Sequence, residues 1–365
     1  MKDLALPTEA RFRPIAEFWR DRRVLVTGHT GFKGGWLTLW LSSLGARVWG
    51  MALPPEGPPN FFEAVDLAPL CTHRVGDVRK NDDIAAAVRA ADPEIVFHLA
   101  AQSLVRRSYR DPLGTIATNV IGTAQLLDAC RSAPRLRAAV IVTSDKVYEN
   151  RERHEPYREN ESLGGHDPYA ASKACADLIT ASYRRSFFPD ETSGALATVR
   201  AGNVIGGGDW AEDRLLPDLA RAFSANLPGH IRRPQAVRPW QHVVDVTRGY
   251  LMLARALAEA KDSCPSAVNL GPKSDGITVG EIADQFTRAW GDNRRWQHDP
   301  DPEGAHEAGF LAVDSTLAFE SLGWTCEIPV AQALAMSAAW YKRHAEGATP
   351  SDLRAFTLAQ IAETG

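Results

Sequence analysis

The chain has 365 residues, 44% of them hydrophobic and 24% charged, with a formal net charge of -4. That length can bury a large core, as about two domains or one large α/β unit, and the charge balance offers no basic field for nucleic acid. The five cysteines form no CxxC pair or metal-ligand cluster. No resident metal and no disulfide framework are therefore expected. An N-terminus without an apolar core, and no run long enough to span a bilayer, predict a cytoplasmic protein with no membrane partner.

In chain order, residues 1–17 mix charge and proline and read as an N-terminal extension. "RRVLVTGHTGFKGGWLTLWLSSLGARVWGMAL" then gives strand, glycine turn, helix and strand within one βαβ unit's length. "EIVFHLAA", "AAVIVTS" and "ALATVRAGNV" read as further strands, and "TIATNVIGTAQLLDACRSA" and "PYAASKACADLITASYRRSF" carry apolar positions at helical spacing. Strand alternating with helix predicts a Rossmann-type doubly wound parallel sheet over residues 18–202. Beyond that the pattern loosens. Residues 203–239 and 263–350 read as a smaller mixed α/β lobe, a segment near 240–262 returns to the first domain, and 351–365 form a tail. Thr278 and Glu281 are spaced to cap the helix of "TVGEIADQFTRAW" as a box.

In "TGHTGFKGG", Gly28, Gly31 and Gly34 lie three apart between a strand and a helix. Such glycines let the backbone turn tightly against a pyrophosphate at the helix N-terminus. Thr30, Phe32 and Lys33 fall in the same turn and join the candidate cofactor contacts. The acid that commonly holds a ribose at the end of the second strand is absent: Ala52, Leu53 and Pro54 stand there, with Glu56 farther along. No arginine there favours a 2′-phosphate. Asp77 and Val78 follow a short strand and can reach an adenine ring, although Asp77 equally suits a turn. His98 reads as a satisfied buried histidine.

The strand at Ala138–Val142 runs straight into Thr143, Ser144, Asp145 and Lys146. Polar residues at a strand exit are ordinarily there to be solvated. Tyr169 and Lys173, four apart on one helix face, suggest more: an ammonium near a phenol favours the phenolate, which can take a proton from a sugar hydroxyl.

With "FHLAAQSLVRRSY", "TNVIGT", "TSDKVYENRE", "GGHDPYAASKACAD", "RAGNVIGGGDWAEDRLLPD" and "RPWQHV" added, the chain resembles the extended short-chain dehydrogenase/reductases. Among these it is most similar to the CDP-glucose branch of the nucleotide-sugar 4,6-dehydratases, from about Phe18 to the last helix. The resemblance implies tightly held NAD, a CDP-glucose-like nucleotide-sugar substrate, and a homodimer or tetramer built on the Leu126 and Leu178 helices. It implies that Tyr169 is the base for the C4 hydroxyl, with Lys173 tuning it and holding the nicotinamide ribose. Ser144 would bond the C4 oxygen, Asp145 protonate the departing C6 hydroxyl, and Lys146 take the C5 proton. A lysine with an ordinary pKa near 10.4 must be pushed down for that last task; otherwise Lys146 only supports charge and Asp145 or a water makes both proton transfers. Leu99, Ala100 and Ala101 would face the cofactor, and Asn119 would order the catalytic strand. Asn203, Arg238 and Arg214 would hold the sugar diphosphate, Arg214 being otherwise a surface charge. Trp210 and Trp240 read as core before they read as base-stacking rings. A 4-epimerase needs no acid and base at C6 and C5, so "SDK" speaks against one. A silent NAD-binding module has no use for Tyr169, Lys173 and Asp145 together.

Overall fold

The computed structural model describes residues 16–189, 194–273, 276–300 and 309–364. Residues 1–15, most of the expected extension, lie outside them. The first half supplies β1 (Arg23–Thr27), α1 (Phe32–Ser43), β2 (Arg47–Ala52), β3 (Thr72–Val75), α2 (Asn81–Ala91), β4 (Ile95–His98), α3 (Gly122–Cys130), β5 (Ala138–Val142), α4 (Pro168–Phe187) and β6 (Ala195–Ala201). The second supplies β7 (Asn203–Ile205), α5 (Leu215–Ser224), β8 (Gly229–Ile231), β9 (Val237–Arg238), β10 (Trp240–His242), α6 (Val243–Glu259), β11 (Ala267–Leu270), β12 (Ile277–Thr278), α7 (Val279–Trp290), β13 (Trp296–His298), α8 (Val330–Ala345) and α9 (Pro350–Thr364).

Seven strands form one sheet in the order β11-β6-β5-β4-β1-β2-β3, and each neighbouring pair is parallel. The chain leaves the centre through β2 and β3 and returns to place β4 beside β1. Strand order therefore reverses between β1 and β4, where a crevice opens beyond the strand ends. Every residue of β4 and β5 is buried, as strands covered on both faces must be. Alternate side chains separate into two cores. Val24, Val26, Phe97, Val140 and Val199 pack with Trp36 and Trp40 of α1 and Val244 of α6. Leu25, Val96, Ile141 and Leu196 pack with Ile84 of α2 and Leu126 of α3. The expected Thr278–Glu281 capping box is present at the start of α7.

Two expectations need correction. Residues 267–270 do not belong to the smaller lobe. Their apolar run pairs with β6 from Ala267↔Thr198 to Leu270↔Ala201 and closes the main sheet. Residues 351–364 are not a tail but most of α9. Its Leu353 and Ile361 are buried, Thr357 Oγ1 accepts from Trp340 Nε1 at 2.9 Å, and Gln360 Nε2 donates to Met336 O at 3.0 Å. Near the two helices expected at a subunit interface, Leu126 itself is buried, while Ile121 is 49% exposed, Leu178 55% and Leu113 79%.

Helix α4 begins at Asp167, whose carboxylate accepts from Ala170 N at 2.9 Å, followed by Pro168 in the first turn. Tyr169, Lys173 and Asp177 follow at four-residue intervals and are all buried against the sheet. The Asp177 carboxylate accepts from Thr143 Oγ1 at 3.1 Å, Thr198 Oγ1 at 3.1 Å, and Arg200 Nε and Nη2 at 2.9 and 2.8 Å. Asp177→Asn leaves the Arg200 guanidinium buried without its counter-charge. Chemical denaturation is expected to show a loss of about 3–5 kcal/mol.

Candidate active site

A cleft of about 1070 Å³ lies over the C-terminal ends of β1, β4 and β5 and is closed on its far side by α5, β8 and β9. One arm starts at the glycine turn. Gly28 has φ +79°, and a Cβ there would stand 2.6 Å from Ala100 N; a Cβ on Gly34 would stand 2.1 Å from Gly28 O. The turn therefore tolerates only glycine where it passes under the cleft. Gly31 caps α1 without any side-chain hydrogen bond, so the first amides of a twelve-residue helix are left for an anion. These features fit a dinucleotide pyrophosphate. Thr30, Phe32, Lys33, Leu99, Ala100 and Ala101 line this arm, as do Ala52, Leu53 and Glu56 at the second strand's end. Asp77 and Val78 line it too, but the Asp77 carboxylate is held by Arg79, whose Nη2 donates at 2.6 Å. Hydrogen bonds from Arg79 outweigh burial and keep this acid below its ordinary range.

His98 is buried as expected, its ring nitrogens 2.7 Å from Thr27 Oγ1 and 3.1 Å from Thr123 Oγ1. Burial, then the Lys173 charge, pushes it down to about 3, so the ring stays neutral. Asn119 departs from expectation. It lies in a π-turn at Ala117–Ile121, bonds Gln102 N at 2.8 Å and Gln102 O at 2.9 Å, and donates to Ser172 Oγ at 2.8 Å. It fastens the loop after β4 to α4, and not the catalytic strand, because its amide spans the gap between those two elements.

At the end of β5 the chain tightens into a 3₁₀ turn, Asp145–Val147, capped by Ser144, whose Oγ accepts from Lys146 N at 3.2 Å. Ser144 Oγ donates to Asp145 Oδ1 at 3.0 Å, while Asp145 Oδ2 is buried with no hydrogen-bond partner. Burial raises the Asp145 carboxyl above its ordinary value; Lys146, the Ser144 bond, Arg238 and Lys33 pull the other way and lose. An acid shifted upward in this way is better placed to hold a proton and give it to a poor leaving group. Ser144, Asp145, Lys146 and Tyr169 share the cleft wall.

Lys173 does not lower the Tyr169 phenol as the spacing suggested. Its ammonium donates to Val142 O at 2.9 Å and is pushed down to about 7 by burial, with the Lys33 charge second. Burial drives the phenol up to about 12, against a smaller lowering from Ser144. Desolvation of the phenolate outweighs any help from the ammonium.

On the other arm, Asn203 and Arg238 line the cleft. Arg238 is buried and donates to Val237 O at 2.8 Å. Arg214 is no free surface charge: Nη1 donates to Asp209 Oδ2 at 2.8 Å and Nη2 to Ser103 Oγ at 3.0 Å. Asp209 had not stood out in the sequence, although it sits in the quoted "GGGDW". Trp240 donates to Ile277 O at 3.2 Å, and Trp210 packs edge-on against Tyr341, so both are held by the protein. Gly202 was also missed. A Cβ there would stand 2.7 Å from Pro239 Cγ and 3.2 Å from Asp145 Oδ2.

The sequence pattern of the NAD dependent epimerase/dehydratase family matches residues 24–271. The chain belongs to this family. NAD is the cofactor of these proteins, and the glycine turn described above fits it. CDP-glucose 4,6-dehydratase of Salmonella typhimurium is 44% identical over 335 residues, covering 90% of this chain and 93% of its own. dTDP-glucose 4,6-dehydratase of Streptomyces griseus is 32% identical, covering 88% and 94%. The UDP-glucose 4-epimerase of Thermus thermophilus, solved with NAD, shares the fold with a TM-score of 0.76 at 24% identity, covering 89% of this chain and 99% of that one.

Gly202→Ala is expected to press on Asp145 and Pro239 and to lower kcat about tenfold or more, since small misplacements of a reacting group are costly. Steady-state kinetics beside circular dichroism checks this, with the fold expected to be intact.

Proposed function

We propose that this member of the NAD dependent epimerase/dehydratase family converts CDP-D-glucose to CDP-4-dehydro-6-deoxy-D-glucose. The observation that carries the reading is the buried Asp145 carboxyl, raised above its ordinary value by burial and with its Oδ2 unpartnered, beside Ser144 and Tyr169 in the cleft. A reaction confined to C4 has no use for it. The 44% identical relative supports the choice of cytidine nucleotide.

Bound NAD supplies the hydride acceptor for C4 and the donor for C6. Tyr169 takes the C4 hydroxyl proton as its phenolate, the form that the positive charge of bound NAD would favour against burial, aided by Ser144; Lys173 holds the nicotinamide ribose once it turns from Val142 O. The ketone at C4 acidifies the C5 proton, which Lys146, half-buried on the same turn, removes. Asp145 gives its proton to the C6 hydroxyl, which departs as water. Asn203, Arg238 and Arg214 bind the diphosphate, a role suited to planar guanidinium groups. Gly28, Gly31 and Gly34 cradle the cofactor pyrophosphate. The protein works in the cytoplasm, and exposed Leu113, Ile121 and Leu178 support assembly as a homodimer or tetramer.

Pure protein incubated with CDP-glucose is expected to yield a product lighter by one water; no such product from any nucleotide-glucose would end the dehydratase reading. Asp145→Asn should slow turnover by about 10²–10⁴ while transient reduced cofactor still forms. Normal turnover by that variant would remove Asp145 from the acid role.

A further inference from the structure

Lys33 is the second residue of α1 and lines the cleft. The glycine turn needs its backbone; its ammonium is extra. Among the described residues that ammonium forms no hydrogen bond or ion pair. It lies among charged groups brought from three other parts of the fold: Asp145 after β5, Asp209 and Arg214 before α5, and Lys173 on α4. Asp145 in turn faces Lys146 and Ser144 on its own turn, Tyr169 on α4, Arg238 on β9 and Lys33 on α1. Its Oδ2 is the buried oxygen without a partner. An unpaired cation and an unpaired acceptor thus line one cleft.

The other cations near Asp145 are otherwise occupied. Arg238 is tied to backbone carbonyls and, in the reading above, to a diphosphate. Lys146 serves C5. Burial pushes Lys33 down only to about 8, with the Arg214 charge second, so it is mostly charged at neutral pH.

Resting on the dehydratase reading, we propose that Lys33 is a positioning residue for the acid step: its ammonium faces Asp145 and stabilises the carboxylate left when that residue gives up its proton. In that step the C6–O bond breaks and the Asp145 proton joins the leaving oxygen to make water. The electron pair of the C5–H bond becomes the C5–C6 double bond, and Asp145 is left negative. A carboxylate created where its oxygens are buried, as Asp145 Oδ2 is, is expensive unless a cation already faces it.

The test uses the NAD-loaded enzyme as Lys33→Met and Lys33→Arg. With CDP-glucose, Lys33→Met is expected to slow water loss about tenfold or more while transient reduced cofactor persists. Removing the cation raises the Asp145 carboxyl, so the basic limb of the pH–rate profile should move up by about one unit, a tenfold change in proton affinity. Lys33→Arg should recover most of both effects. The infrared carbonyl band of protonated Asp145, assigned by its loss in Asp145→Asn, should persist to higher pH in Lys33→Met whether or not substrate turns over. An unmoved band overturns the proposal, as does unchanged water loss, or a defect confined to weaker NAD binding by calorimetry. If wild type releases no water from any nucleotide-glucose, the dehydratase reading fails, and the band still reports separately on the contact between Lys33 and Asp145.

Discussion

The Asp177 carboxylate joins three elements at once. It takes hydrogen bonds from Thr143 at the end of β5 and from Thr198 and Arg200 on β6, and it belongs to α4 itself. Two turns up that helix lies Tyr169, and one residue beyond Thr143 lies Ser144. The spacing between the phenol and the acid turn is therefore set by a buried, fully bonded charge pair rather than by loop packing. Such pairs add little net stability but are costly to break, which suits a part that must hold its geometry. Arg200 extends the network to Tyr148 at 2.9 Å, and Tyr148 reaches Asn269 on β11 at 2.7 Å. The far edge of the sheet thus backs the same site.

Above this frame, burial is the dominant electrostatic influence. It pushes the Tyr169 phenol up, the Lys173 ammonium down and the Asp145 carboxyl up, so each favours its neutral form. A cleft that disfavours charge at all three positions favours a loaded acid and makes each charge formed during reaction sensitive to its nearest counter-charge. Positive charge from Lys33 on α1 and Arg238 on β9 pulls the carboxyl the other way, against burial.

Much of this was legible because it is local. Apolar runs marked β4 and β5, three glycines marked the turn, and four-residue spacing put Tyr169 and Lys173 on one face. The Thr278 box needed only four consecutive residues. What escaped depends on partners distant in sequence. Residues 267–270 look like any short strand until β6 is beside them, and α9 is held by Trp340 and Met336. Asn119 and Lys173 were recognised, but their partners, Gln102, Ser172 and Val142 O, lie on other elements. Gly202 is small because Pro239 and Asp145 crowd it, and nothing in its own neighbourhood says so.

The most direct trial of the central claim, that this cleft splits a carbon–oxygen bond with an acid and a base of its own, is turnover of CDP-glucose in deuterium oxide. Product examined by NMR should carry solvent deuterium at C5 and only carbon-bound hydrogen from the substrate at C6, because the hydride is returned within the site. A product retaining its original C5 hydrogen, or one changed only in configuration at C4, would contradict the account.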